Sequence, residues 1–150
     1  MTTQNYTISG LEYSVNDGEW QDVEADTEVP FGGENGTLRL RGTNQNGTAT
    51  STVNYSTIKF TVANVNVACT GDIRTLLNWK NYTTAETQNA RFCSLFYDCA
   101  VLTSAPALPA TNLAEKCYAS MFKGCTNLET APALPATYLA GYCYFYMFAD

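Results

Sequence analysis

The chain has 150 residues, enough for one domain or two small ones, and an apolar fraction of 45% that can fill a core. Its formal charge of −6, with only 8 Lys and Arg, argues against nucleic acid and anionic membrane as partners. No apolar run is long enough to span a bilayer, and the absence of histidine removes the commonest general base.

Residues 1–68 read as a small all-β domain. The start, Met1-Thr2-Thr3-Gln4-Asn5, has neither the cationic opening nor the apolar core of a secretory signal. Either a signal has been removed, or the protein is made and assembled in the cytosol. Residues 11–15 and 19–23 flank Asn16-Asp17-Gly18, and Asp-Gly between alternating runs is a hairpin signal. Val29-Pro30-Phe31 begins a short strand that Gly32-Gly33 ends. Residues 37–41 alternate cleanly, and residues 53–55, 58–62 and 65–69 are further strand candidates. Short strands with Gly and Asn turns at this spacing predict a small sandwich or partly closed sheet. Asp22, Glu24, Asp26 and Glu28 alternate, with Asp17 and Glu19 nearby. They lack the glycine-punctuated order of calcium loops and read as a solvated edge that discourages strand pairing.

Residues 69–91 form the join, inside an atypical first unit of residues 69–98. The stretch from Gly71 to Leu77 reads as a first, atypical unit that closes an apolar end. Thr83-x-x-Glu86 is a capping box, predicting a helix that carries Phe92, Leu95 and Phe96. No linker separates the halves, so the β-domain is expected to dock on the C-terminal half as its N-terminal cap.

From residue 92 onward the chain repeats with a step of 26. Phe96, Phe122 and Phe148 share one position; Cys117 and Cys143 share another, Cys99 and Cys125 a third, Met121 and Met147 a fourth. Leu102 answers to Leu128, Leu108 to Leu134, and Leu113 to Leu139. Residues 105–111 and 131–137 are identical. A fixed period of this size implies stacked coils whose apolar faces bury one another. Those residues, with Phe92, are the expected core. Leu139, Cys143 and Met147 lie four apart, which predicts a helix after Thr137, as after Thr111, each threonine an N-cap. The helix should stop near Gly124, and residues 128–134, with their prolines, should run as a short irregular strand.

A helix and a strand per two dozen residues is the leucine-rich-repeat plan. The spacing Met121-Phe122-x-x-Cys125-x-x-Leu128-x-x-Ala131-x-x-Leu134-Pro135 resembles BspA-like leucine-rich repeats. The Ala-Pro-Ala-Leu-Pro-Ala-Thr block is similar to repeats in surface proteins of gut Bacteroidetes and in proteins of their phages. Here the unit is longer than usual, and Ala131-Pro132-Ala133 replaces a large mid-strand aliphatic. The expected fold class is therefore α+β: a sandwich-like domain capping a short leucine-rich-repeat solenoid of strand/helix units over residues 69–150. The resemblance implies a non-enzymatic displayed protein. A virion component (fibre, decoration or tail-associated) comes first, a bacterial cell-surface adhesin is the alternative, and neither setting brings a cofactor.

The six cysteines read as small buried thiols in ladders in preference to disulfides, and without His or a C-x-x-C pair they do not suggest a metal site. The outward positions of one unit, Asn112, Glu115, Lys116, Ala119 and Ser120, become Tyr138, Gly141, Tyr142, Phe145 and Tyr146 in the next. Tyr138, Tyr142, Phe145 and Tyr146 would share one helix face. Either a following loop or cap covers that face, or it is a contact patch for a protein partner, for self-assembly or for a surface glycan. Likewise, either more repeats follow Asp150 or a neighbouring subunit covers the last coil. A carbohydrate-binding module using Trp20, Trp79 or the tyrosines is a third reading.

Overall fold

The computed structural model describes residues 1–31, 33–62 and 64–150. Gly32, one of the two glycines expected to end a strand, lies outside them. The N-terminal strands are β1 (Thr2–Gln4), β2 (Leu11–Val15), β3 (Gln21–Asp22), β4 (Leu38–Gly42), β5 (Ala49–Ser51), β6 (Asn54–Thr57) and β7 (Val67–Ala68). They form two small antiparallel sheets, in the orders β3-β2-β4 and β1-β6-β5. The β2–β3 turn is held by Asn16 and Asp17, both left-handed at φ 50° and 59°, with the Gly18 N–H donating to the Val15 carbonyl at 2.9 Å. Residues 29–31 and 58–62 form no strand.

The expected sandwich or closed sheet is overturned. The physical reason is composition. Apart from Tyr6 and Leu11, the buried side chains of this region are Ser14, Thr48, Ala49, Ser56 and Thr57, while Val53 and Val62 are exposed. Two sheets with such faces have little apolar area to press together. They pair with the next part of the chain instead. The Thr48 and Ala49 N–H groups donate to the Arg91 carbonyl at 2.9 and 3.1 Å, and the Ile58 N–H to the Leu95 carbonyl at 2.8 Å. Strand β7 runs parallel to β8 (Leu102–Ser104). Helix α1 (Thr75–Asn78) buries Leu76 and Leu77 beside β4. A Cβ at Gly42 would run into the Leu76 carbonyl oxygen, so glycine is what permits that approach.

Helix among the described residues is confined to α1 and one 3₁₀ turn, Tyr82–Thr84. The strand/helix repeat and the leucine-rich-repeat solenoid are therefore corrected, and so are three local readings. The capping box at Thr83 starts no α-helix. Thr111 and Thr137 precede β9 (Asn112–Leu113) and β10 (Tyr138–Leu139), a parallel pair, and not helices. Residues 128–134 make only a single bridge, Ser104↔Thr130, in place of a strand.

What forms is a spiral of turns. Ala90, Ser94 and Asp98 have φ of 55°, 57° and 56°, and Lys116, Ser120 and Gly124 have 56°, 53° and 74°. Tyr142 and Tyr146 repeat this at 59° and 52°. A left-handed residue every fourth position is incompatible with an α-helix. The period of four that suggests a helical stripe is the period of this turn. The backbone bonds follow from it. Odd-numbered N–H groups close turns to the residue three back, as Met121 does to Tyr118 at 3.2 Å. Even-numbered ones reach the next layer, as Phe92 does to Cys117, Phe96 to Met121, and Phe122 to Met147, at 2.9, 2.9 and 3.0 Å.

These bonds lay three turn layers on one another. Phe96 stacks on Phe122 and Phe122 on Phe148, with centroids 5.5 and 5.7 Å apart. Phe92, Tyr118 and Tyr144 form a second column with 6.1 Å steps. Phe92, Phe96, Cys99, Leu102, Leu108, Leu113, Cys117, Met121, Phe122, Cys125, Cys143 and Met147 are all buried. Leu128 is half-buried. Leu134, Leu139 and Phe148 are 40%, 57% and 44% exposed, which corrects their assignment to the core. They lie in the last layer and are covered from one side.

Candidate functional site: the aromatic face of the last layer

Tyr138 ends up in β10, while Tyr142, Phe145 and Tyr146 lie on the turns after that strand. The local reason for their exposure is the four-residue spiral. Cys143 and Met147 point inward and are buried, so the positions between them turn outward. The rings of Tyr142 and Phe145 meet edge-on at 5.5 Å, and those of Phe145 and Tyr146 lie 4.1 Å apart. Tyr138 is the most exposed of the four at 77% and makes no ring pair with the others. The structure thus gathers Tyr142, Phe145 and Tyr146 into one cluster and leaves Tyr138 beside the exposed Leu139.

Lysines of the layer beneath edge the cluster. Lys116 Nζ stands 5.7 Å from the Tyr142 ring, and Lys123 Nζ lies 5.6 Å from Tyr146 and 5.7 Å from Tyr97. Lys116 also pairs with Glu115 at 2.7 Å, and that carboxylate raises the lysine's pKa.

The backbone adds a second feature. In the two lower layers every even-numbered N–H from 90 to 98 and from 116 to 124 donates upward. Those of Tyr142, Tyr144, Tyr146 and Phe148 have no acceptor among the described residues. The layer of residues 138–150 therefore carries a row of backbone donors beside the exposed aromatic and aliphatic side chains. Sequence reasoning missed this row, because only the left-handed turns create it.

Trp20 and Trp79, the other candidate sugar platforms, are already occupied. The Arg41 guanidinium sits 3.9 Å from the Trp20 ring and 4.4 Å from the Trp79 ring, and it donates to both Glu12 oxygens at 2.7 and 3.2 Å. That hydrogen bond holds the Glu12 carboxyl below its usual range. The arrangement joins the β2-β4 sheet to the residue after α1 and so has a structural role.

All six cysteines are free, and five of them are buried. The Cys125 thiol donates to the Phe96 carbonyl at 3.0 Å. Burial pushes the Cys117 and Cys125 thiols up to about 12 and Cys69 up to about 11, so they are poor nucleophiles. The acidic run Asp22, Glu24, Asp26 and Glu28 lines an open groove, and no cluster of three or more metal-binding side chains occurs among the described residues. No helix of the described residues is long and apolar enough to cross a membrane.

Comparison with known proteins adds no likeness: no family model, no curated protein and no solved structure matches the chain.

Proposed function

We propose that this is a non-enzymatic structural or adhesion protein that engages a protein partner, or further copies of itself, through the last layer of its repeat stack. One observation carries the reading. Four backbone donors, on Tyr142, Tyr144, Tyr146 and Phe148, have no acceptor among the described residues and lie beside the exposed rings of Tyr142, Phe145, Tyr146 and Phe148. Exposed aromatics in a contiguous group mark contact surfaces on soluble proteins. The donor row adds a polarity. A partner offering carbonyl groups at the same spacing continues the ladder, whereas two such ends meeting about a two-fold axis bring donor against donor.

The likeness of the repeats to those of gut Bacteroidetes surface proteins and their phages supports a displayed setting. Six free thiols suit assembly in a reducing compartment, which favours a virion component over a secreted adhesin. A carbohydrate-binding module is the weaker reading, since Arg41 already sits between Trp20 and Trp79.

The experiment is light scattering during size-exclusion chromatography, on the chain and on the double variant Tyr142→Lys, Tyr146→Lys, with glycan-array binding alongside. Association that the variant abolishes while its circular dichroism is kept supports the reading. Unchanged association and unchanged glycan binding in a folded variant would end it.

A further inference from the structure

We propose that the cavity between the 46–50 turn and residues 87–91 is a binding site for a small hydroxylated carboxylate, such as a sugar acid, with its carboxylate on Arg91. The cavity has a volume of about 430 Å³ and is lined by Asn46, Thr50, Gln88, Asn89 and Arg91 among others, which lies within the size range of small-molecule sites. Arg91 is 3% exposed. Its Nη2 is buried with no hydrogen-bond partner, and none of the ion pairs among the described residues includes it. A buried guanidinium without a counter-ion is costly, and proteins ordinarily pair it. Among the described residues no carboxylate lines the cavity.

The residue is also held in place. Its carbonyl accepts from the Thr48 and Ala49 N–H groups at 2.9 and 3.1 Å, and from the Thr48 hydroxyl at 3.4 Å. Its stem passes over Gly47, where any Cβ would strike the Arg91 Cγ. The main chain and stem of Arg91 are thus fixed, and a guanidinium supplies donors that suit a carboxylate. The amides of Asn46, Gln88 and Asn89 and the Thr50 hydroxyl can donate to and accept from hydroxyl groups. Burial lowers the Arg91 pKa, with the Tyr6 phenol opposing, as expected of a cation that lacks its partner.

The test is titration of ¹⁵N-labelled protein with glucuronate, glucose and acetate, followed by amide chemical shifts. Glucuronate should give saturable shifts at Asn46, Thr50, Gln88 and Asn89, with acetate about tenfold weaker or more and glucose without effect. Arg91→Met should abolish the response and leave the melting temperature unchanged or higher, because it removes an unpaired charge. Asn89 is exposed, so Asn89→Asp keeps the fold. It places a carboxylate at the site and should weaken glucuronate about tenfold or more. Equal responses to glucose or acetate, no saturation with glucuronate, or binding that survives either substitution would overturn the proposal.

Discussion

Phe96 and Phe122 lie face to face, their centroids 5.5 Å apart and their planes within 9°, although 26 residues separate them in the chain. Phe148 continues the column but is 44% exposed, whereas Phe122 is 2% exposed. Truncation should register that difference. Phe122→Ala opens a cavity between two layers and should cost about 3–5 kcal/mol. Phe148→Ala removes a ring that is covered on one side and should cost about 1–2 kcal/mol. Denaturant midpoints of the two variants check this, and equal losses would mean that the layers do not stack in this order.

Ser120 separates a turn spiral from a helix by the sign of one substitution. Its φ is 53°, a region that L-residues occupy at a cost of about 1–2 kcal/mol and glycine occupies freely. Ser120→Gly should therefore stabilise the protein by roughly 0.5–1 kcal/mol after the entropy lost by glycine is counted. Within an α-helix the same change would destabilise by about 0.5 kcal/mol. Urea unfolding with an unchanged slope reads the sign directly.

Gly42 makes the opposite case. Its role is close approach to the Leu76 carbonyl, and Trp79 N–H donates to the Gly42 carbonyl at 3.0 Å across the same junction. Gly42→Ala places a methyl against backbone that has no rotamer with which to yield. The expected loss is about 2–3 kcal/mol or more. Separation of the β2-β4 sheet from α1 should also change tryptophan emission, because Arg41 lies between Trp20 and Trp79.

The residues that stack were legible in the sequence, and the local backbone that stacks them was not. A step of 26 names Phe96, Phe122 and Phe148 as equivalents whatever the conformation, since equivalence depends only on translation along the chain. The conformation is ambiguous in sequence because Leu139, Cys143 and Met147 at intervals of four fit both a helix and a four-residue turn. The discriminating signal is the residue between them, and Tyr142 and Tyr146 carry no glycine to announce a left-handed φ. In the N-terminal part, strands β2 and β4 are visible as alternating runs. The absence of a sandwich follows from faces of Ser, Thr and Ala, which a count of strands does not weigh. The aromatic cluster is legible from its contrast with the preceding unit. Arg91 is not, as a lone arginine in a polar stretch carries no signal until its burial is known.

The buried thiols set the response to alkali. Burial is the main cause that pushes Cys117 and Cys125 up to about 12 and Cys69 up to about 11; for Cys117 the neighbouring Cys143 adds to it. In the unfolded chain a thiol ionises near 8.5. Below that value both states keep the proton and stability is unaffected. Above it the unfolded state has lost a proton that the folded state still binds, so stability falls with rising pH until the folded value is reached. The window therefore opens near pH 9 and runs toward about 11 for Cys69 and about 12 for the other two. Tyr118, also raised by burial, adds a loss of the same sign once an ordinary phenol begins to ionise, near pH 10. Guanidinium midpoints measured under reducing conditions should be flat from about pH 7 to 8 and decline above about 9. Alkylation by iodoacetamide at neutral pH should be slow at the five buried thiols and fastest at Cys69, the least buried. A midpoint that holds or rises through pH 10, or rapid labelling of Cys117 in the folded protein, would show that the thiols are not sealed between the layers.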